Sequence, residues 1–383
     1  MSRRLALDQF KPANHRATGA EGITGPRSIA AVQMLRVSVT DRCNFRCTYC
    51  MPAEGLKWLG RNEILSFEEI DRVVRAAFHL HGIRHIKLTG GEPTVRRDLP
   101  SLVRRLRDID SSIELSMTTN GFALSSMASE LVDAGLRRVT VSLDSLRPDR
   151  FAAITRTGKL PQVLAGIDAA LAAGFERVKI NCVVVRGTND DELIDFARLT
   201  LDRPITVRFI EYMPMGDSAV LQGAGGNPFE AFEEGGSTRY RIADDEIGPA
   251  GGCGAQQRGS TRDVFVSETQ MRQAIESELG PIESVRRDLE PGVGPATIHT
   301  LSDAAGRLGF ISAMSQPFCA TCNRLRLTAA GVLRSCLFEG GEVDLKPILR
   351  SGGDLGQAMI DCVALKPDVH SARGNIQMSQ IGG

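Results

Sequence analysis

From residue 35 to about 214, short β-branched runs alternate with longer stretches of helical periodicity. The runs LRVSV (35–39), RHIKLTG (84–90), IELSMTT (113–119), RVTVSLD (138–144), RVKINCVVV (177–185) and ITVRFIEY (205–212) predict six strands. Between the first two, SFEEIDRVVRAAFHLHG predicts a helix, with Ser66 and Glu69 as a capping box and Gly82 as its stop. LPQVLAGIDAALAAGF predicts another, with Gly174 near its end. Each interval between strands is long enough for a crossover helix, so the sheet should be parallel. Six β/α units predict an α/β fold of the partial TIM-like kind, a (β/α)6 barrel, with a doubly wound sheet as the alternative. In both, the chemistry belongs at the C-terminal ends of the strands.

The pattern divides the chain. Residues 1–34 form a basic tail without the apolar core of a secretory signal; Asp8 and Pro12 argue against a transit peptide, and the tail is expected to be flexible. Residues 35–216 make the barrel. Residues 217–262 are Gly-rich and acidic, which predicts an insertion without a core of its own. Residues 263–383 form a C-terminal region that is expected to close the barrel.

Charge excludes some classes of function. Lys+Arg and Asp+Glu both number 46, so no basic field marks a general nucleic-acid binder. No apolar run approaches the roughly 20 residues of a membrane span. The expected compartment is the cytoplasm, or mitochondria if the source is eukaryotic, with a homodimer left open.

Nine cysteines, an odd number, argue against a disulfide scaffold. Cys43, Cys47 and Cys50 stand as C-x3-C-x2-C in TDRCNFRCTYCMP, just after the first strand. Structural zinc wants four ligands, and only Asp41 stands nearby. Three cysteines on a cubane iron–sulfur cluster leave one iron open for a substrate. Cys319, Cys322 and Cys336 form a second trio, C-x2-C-x13-C, to which Cys362 could add a fourth zinc ligand. Beside it, Arg324 and Arg326 alternate in an extended segment and so point the same way, an arrangement suited to a polyphosphate. Lys87 and Lys179 lie inside apolar strands of a chain with only seven lysines. Cys182, Cys253 and Cys362 read as structural or incidental.

The first trio, with Tyr49 before its last cysteine and with LTGGEP (88–93), TTNG (118–121) and VSLDS (141–145) at successive strand ends, resembles the radical S-adenosylmethionine superfamily. Together with FCATCNRLRLT, a third cysteine and a terminal Gly382-Gly383, it closely resembles the GTP 3',8-cyclase family of molybdenum cofactor biosynthesis. The resemblance covers about residues 33–216 and 263–383. It implies two [4Fe-4S] clusters, on Cys43, Cys47 and Cys50 and on Cys319, Cys322 and Cys336, each with an open iron. Tyr49, Gly91, Ser142 and Met213 would contact S-adenosylmethionine. Arg36, Lys87, Thr118, Lys179, Arg324, Leu325 (through its backbone) and Arg326 would contact GTP, and the Gly382-Gly383 tail would thread into the cavity. The implied partners are a one-electron donor such as flavodoxin or ferredoxin and, downstream, cyclic pyranopterin monophosphate synthase. A radical peptide-maturing enzyme with an auxiliary cluster, and a non-catalytic zinc-binding interaction protein, are the rival readings.

Overall fold

The structure is a computed structural model that describes residues 25–215, 229–234, 237–242, 264–286, 292–371, 374 and 378–381. The far N-terminal tail, most of the Gly-rich stretch, Cys253 and Gly382-Gly383 lie outside the described residues. Six strands stand where the apolar runs predict them: β1 (Met34–Ser38), β2 (His85–Thr89), β3 (Glu114–Thr119), β4 (Arg138–Ser142), β5 (Arg177–Val184) and β6 (Ile205–Glu211). They pair in parallel, in chain order. Helices α1 (Phe67–His81), α2 (Leu99–Arg107), α3 (Leu124–Asp133), α4 (Pro148–Thr155), α5 (Leu160–Ala172) and α6 (Leu193–Asp202) supply the crossovers. Ser66 and Glu69 form the full capping box of α1, and Gly82 ends it in the left-handed conformation at φ 67°.

Within the Gly-rich stretch, β7 (Phe229–Glu234) and β8 (Ser237–Ile242) pair with each other in an antiparallel ribbon. The C-terminal region then gives β9 (Glu283–Ser284), β10 (Thr297–Thr300), β11 (Arg307–Ile311), β12 (Arg324–Leu327), β13 (Val332–Arg334) and β14 (Glu342–Asp344). Its strands join both edges of the barrel sheet. β12 lies parallel to β1, and β11 lies parallel to β6. The resulting twelve-stranded sheet runs from β14 to β9 and is open. The C-terminal region therefore walls the barrel by extending it at each edge; the two outermost strands do not pair with each other.

Strand parity decides what faces where. In β5, Val178, Ile180, Cys182 and Val184 are buried against the helices, while Lys179, Asn181 and Val183 point to the inner face. In β1, Leu35 and Val37 are fully buried and Arg36 faces inward. A shift of one residue would drive the charged set into the apolar layer, so the register is firmly specified. Cys182 belongs to that layer, as the strand pattern predicts.

One buried carboxylate joins the C-terminal region to the barrel. Glu211, at the end of β6, accepts from Glu268 N (3.0 Å) at the start of helix α7 (Glu268–Leu279). It also accepts from Met314 N (2.9 Å), Ser315 N (2.8 Å) and the Ser315 hydroxyl, all just beyond β11. Removing the acceptor leaves several buried donors unsatisfied. Glu211→Ala should destabilise the protein by about 3 kcal/mol in denaturant unfolding. A loss below about 1 kcal/mol would show that this junction is held by other contacts.

Candidate active site

The inner face of the sheet encloses a cavity of about 350 Å³. Both cysteine trios stand on its wall, Cys43, Cys47 and Cys50 from the loop after β1, and Cys319, Cys322 and Cys336 from segments flanking β12 and β13. Sequence positions almost 300 residues apart thus share one chamber, because β12 pairs directly with β1.

The first trio sits in a loop that is tightly stapled. Cys50 N donates to Cys47 O at 3.0 Å, and Arg46 Nη1 donates to Cys43 O at 2.6 Å. The chain after β2 packs against it so closely that a side chain at Gly91 would strike the backbone oxygens of Asp41 and Arg42. Glycine is needed here for that approach. Gly91 N donates to Thr40 O and Glu92 N to Arg42 O, each at 2.8 Å. Burial pushes the Cys43 thiol up to about 11 and Cys47 well above its usual value. Asp41, the acidic residue beside the trio in sequence, is turned away to Leu59 N at 2.6 Å and is not on the cavity wall.

Tyr49, Ser142 and Met213 line the cavity with Gly91. The Tyr49 hydroxyl donates to Asp144 Oδ2 at 2.6 Å, and Val183 N donates to Asp144 Oδ1 at 2.8 Å. Burial pushes the Asp144 carboxyl up to about 6 against these two bonds. Asp144 thereby fixes the tyrosine ring on the wall.

In the second trio, Cys322 is flanked by two cations, Arg324 Nη2 at 3.8 Å and Lys366 Nζ at 3.9 Å. Burial raises its thiol, but Arg324 and Lys366 outweigh burial and bring it below the usual value. Cys319, by contrast, is pushed up to about 11, chiefly by burial. Cys362 is no fourth ligand: it is buried in the main core, its sulfur against Leu333 O and Gly341 O at 3.5 Å, and off the cavity wall.

Donor chemistry tests what either trio could hold. Structural zinc takes four protein ligands, whereas a cubane can be held by three thiolates with one iron left open. Each trio brings three thiols to the cavity wall, and Cys362 is not there to make a fourth for the second trio, a donor set that suits a cubane.

Between the trios the wall is basic. Arg326, Arg36 and Lys87 are direct neighbours across β12, β1 and β2, on strands spaced about 4.8 Å apart. Lys87 Nζ (3.4 Å) and Arg208 Nη2 (3.1 Å) converge on one hydroxyl, Thr140 Oγ1. In all, seven basic side chains line the cavity against three acidic ones, in a chain whose charges cancel overall. Of the three acids, Glu114 pairs at 2.7 Å with Arg138, one of the seven, while Asp144 is engaged with Tyr49 and Glu92 with Thr94, Thr119 and Asn120. Burial, then Arg326, Arg324 and Arg208, lowers the Arg36 guanidinium well below its usual value; burial, then Arg208 and Arg36, does the same to Lys87. Burial and Arg324 bring Arg326 down to about 10. Like charges set side by side destabilise a sheet, so this wall is built for an anion.

Every expected cluster and ligand residue among those described lies on this cavity except Leu325. Its side chain is fully buried in the core, on the opposite face of β12 from Arg324 and Arg326, so only its backbone is available to a ligand. Thr118 and Lys179 complete the wall. Arg208, Thr140, Asn181 and Asp144 escaped the sequence reading. For Arg208 the signal was present, a lone cation inside the apolar run ITVRFIEY, the same signal that singles out Lys87 and Lys179.

A model of the radical SAM superfamily matches residues 37–200, and one described as Molybdenum Cofactor Synthesis C matches residues 252–372. A GTP 3',8-cyclase of Pelotomaculum thermopropionicum is 45% identical over 359 residues, covering 92% of this chain and 98% of that protein. Those of Geobacter sulfurreducens (40%, covering 92% and 97%) and Pseudomonas putida (42%, covering 92% and 96%) are similar over the same extent. Among the described residues no helix is long and apolar enough to cross a membrane.

The like-charge wall makes a prediction that needs no cofactor. Lys87→Met should leave the ligand-free protein at least as stable as wild type, by up to about 1 kcal/mol. Inorganic tripolyphosphate should raise the thermal midpoint of wild type clearly and that of the variant much less. Equal shifts in both proteins would refute an anion site on this wall.

Proposed function

The chain belongs to the GTP 3',8-cyclase family of radical S-adenosylmethionine enzymes, and we propose that its basic cavity wall is where GTP binds. The enzyme converts GTP to (8S)-3',8-cyclo-7,8-dihydroguanosine 5'-triphosphate, the first step of molybdenum cofactor biosynthesis. When bound, the first [4Fe-4S] cluster supplies the electron that splits S-adenosylmethionine into methionine and the 5'-deoxyadenosyl radical that takes the ribose 3' hydrogen.

The chain's own residues bind and orient. Cys43, Cys47 and Cys50 would hold the first cluster and, being three, would leave it able to take S-adenosylmethionine. Gly91 brings backbone to the amino group, Ser142 meets the carboxylate end, and Tyr49 and Met213 flank the adenine. Cys319, Cys322 and Cys336 would hold a second [4Fe-4S] cluster at the end of the cavity where the guanine would sit. Arg36, Lys87, Thr118, Lys179, Arg324, Arg326 and the backbone of Leu325 hold the triphosphate and ribose, and Arg208 joins them.

What carries this assignment is charge. Seven cations against three engaged carboxylates call for a polyanionic ligand, and no G-x4-G-K-[ST] phosphate loop occurs in the sequence. Forked guanidinium groups suit phosphate oxygens. With both trios on the same wall, the sugar of a nucleotide held between them lies within reach of both ends. Met378, four residues upstream of Gly382, lines the same chamber. A flavodoxin or ferredoxin would supply the electron, and cyclic pyranopterin monophosphate synthase would consume the product.

Arg324→Ala should weaken GTP binding at least tenfold, about 1.4 kcal/mol, with iron content unchanged; normal GTP affinity would remove Arg324 from the site. Cys43→Ala should abolish 5'-deoxyadenosine formation, and continued formation would contradict the first-cluster assignment.

A further inference from the structure

Lys366 follows helix α8 (Leu355–Ala364), is 3% exposed and does not line the cavity. Its ammonium donates to Cys322 O at 2.9 Å and lies 3.9 Å from Cys322 Sγ. Among the described residues no carboxylate pairs with it, and its contacts are with Cys322. A buried ammonium without a counter-anion is expensive, and the group shown within its reach that can carry negative charge is the Cys322 sulfur. Its backbone is braced to hold it there. Arg27 Nε donates to Lys366 O at 2.8 Å while Arg27 Nη2 pairs with Asp368 at 2.9 Å, and Lys366 N donates to Val363 O at 3.0 Å. A cation just past a helix C-terminus often serves that helix's carbonyls. The Lys366 ammonium instead reaches across to Cys322.

We propose that Lys366 is a positioning residue of the second cluster: it fixes Cys322, serves as counter-ion to its thiolate, and raises the cluster's reduction potential. The inference rests on the second-cluster reading above. It separates the two cations at Cys322 by task. Arg324 faces the cavity and is available to substrate; Lys366 is screened from the cavity and acts on the metal side alone.

The test uses the full chain carrying Cys43→Ala, Cys47→Ala and Cys50→Ala, which leaves the C-terminal trio as the cluster site. Reconstituted iron and an EPR-monitored redox titration are compared for Lys366, Lys366→Met and Lys366→Arg. The expected result is about four irons per chain with a midpoint shifted to more negative potential in Lys366→Met and restored in Lys366→Arg. Iron lost from Lys366→Met but retained by Lys366→Arg supports the counter-ion role equally. An unchanged midpoint in Lys366→Met, or equal impairment in both variants, overturns it. Absence of iron from the parent protein overturns the second cluster itself, and this inference with it.

Discussion

Arg326, Arg36 and Lys87 stand side by side on neighbouring strands, and that repulsion is the constraint around which the molecule is organised. Nothing in folding favours three adjacent cations on the inner face of a sheet. They are held there by what lies behind them. Leu325, Leu35 and Ile86, the adjoining positions on the same strands, are fully buried in the apolar layer. Strand parity then leaves the cations one direction to point, into the cavity. The energy that hydrophobic burial supplies on one face is spent on electrostatic preorganisation on the other, and an anionic substrate completes the balance.

The same sheet explains why two cysteine groups distant in sequence meet. β12 adds to β1 in parallel, so the segment carrying Cys319 and Cys322 enters at the start of that strand while the loop of Cys43, Cys47 and Cys50 leaves the end of β1. Glu211 secures the other edge, tying β6 to α7 and to the turn after β11. Each trio is thus carried by the edge or end of a rigid element, and the cations between them by its middle. That placement suits a reaction in which a reactive group generated at one end must meet a substrate anchored at the other.

The barrel was legible because its strands are short apolar runs with polar residues at every second position, a pattern only a two-faced strand explains. The first trio was legible through spacing, and Lys87 and Lys179 through their incongruity in apolar runs. Arg208 carried the same mark and was passed over. The pairing of β12 with β1 and of β11 with β6 was not legible, since long-range edge pairing leaves no local trace. Lys366 was hidden for a related reason: nothing near it in sequence announces Cys322, 44 residues away. Gly91 reads as a turn in sequence, and only the approach of the Asp41 and Arg42 carbonyls shows why no side chain fits.

If both trios carry clusters on one cavity, iron and acid-labile sulfide per chain after anaerobic reconstitution should fall from about eight irons in the wild type to about four in a Cys319→Ala, Cys322→Ala, Cys336→Ala variant. About four in both proteins, with zinc in the wild type, would contradict it, leaving a one-cluster enzyme with a structural metal at its C-terminal trio.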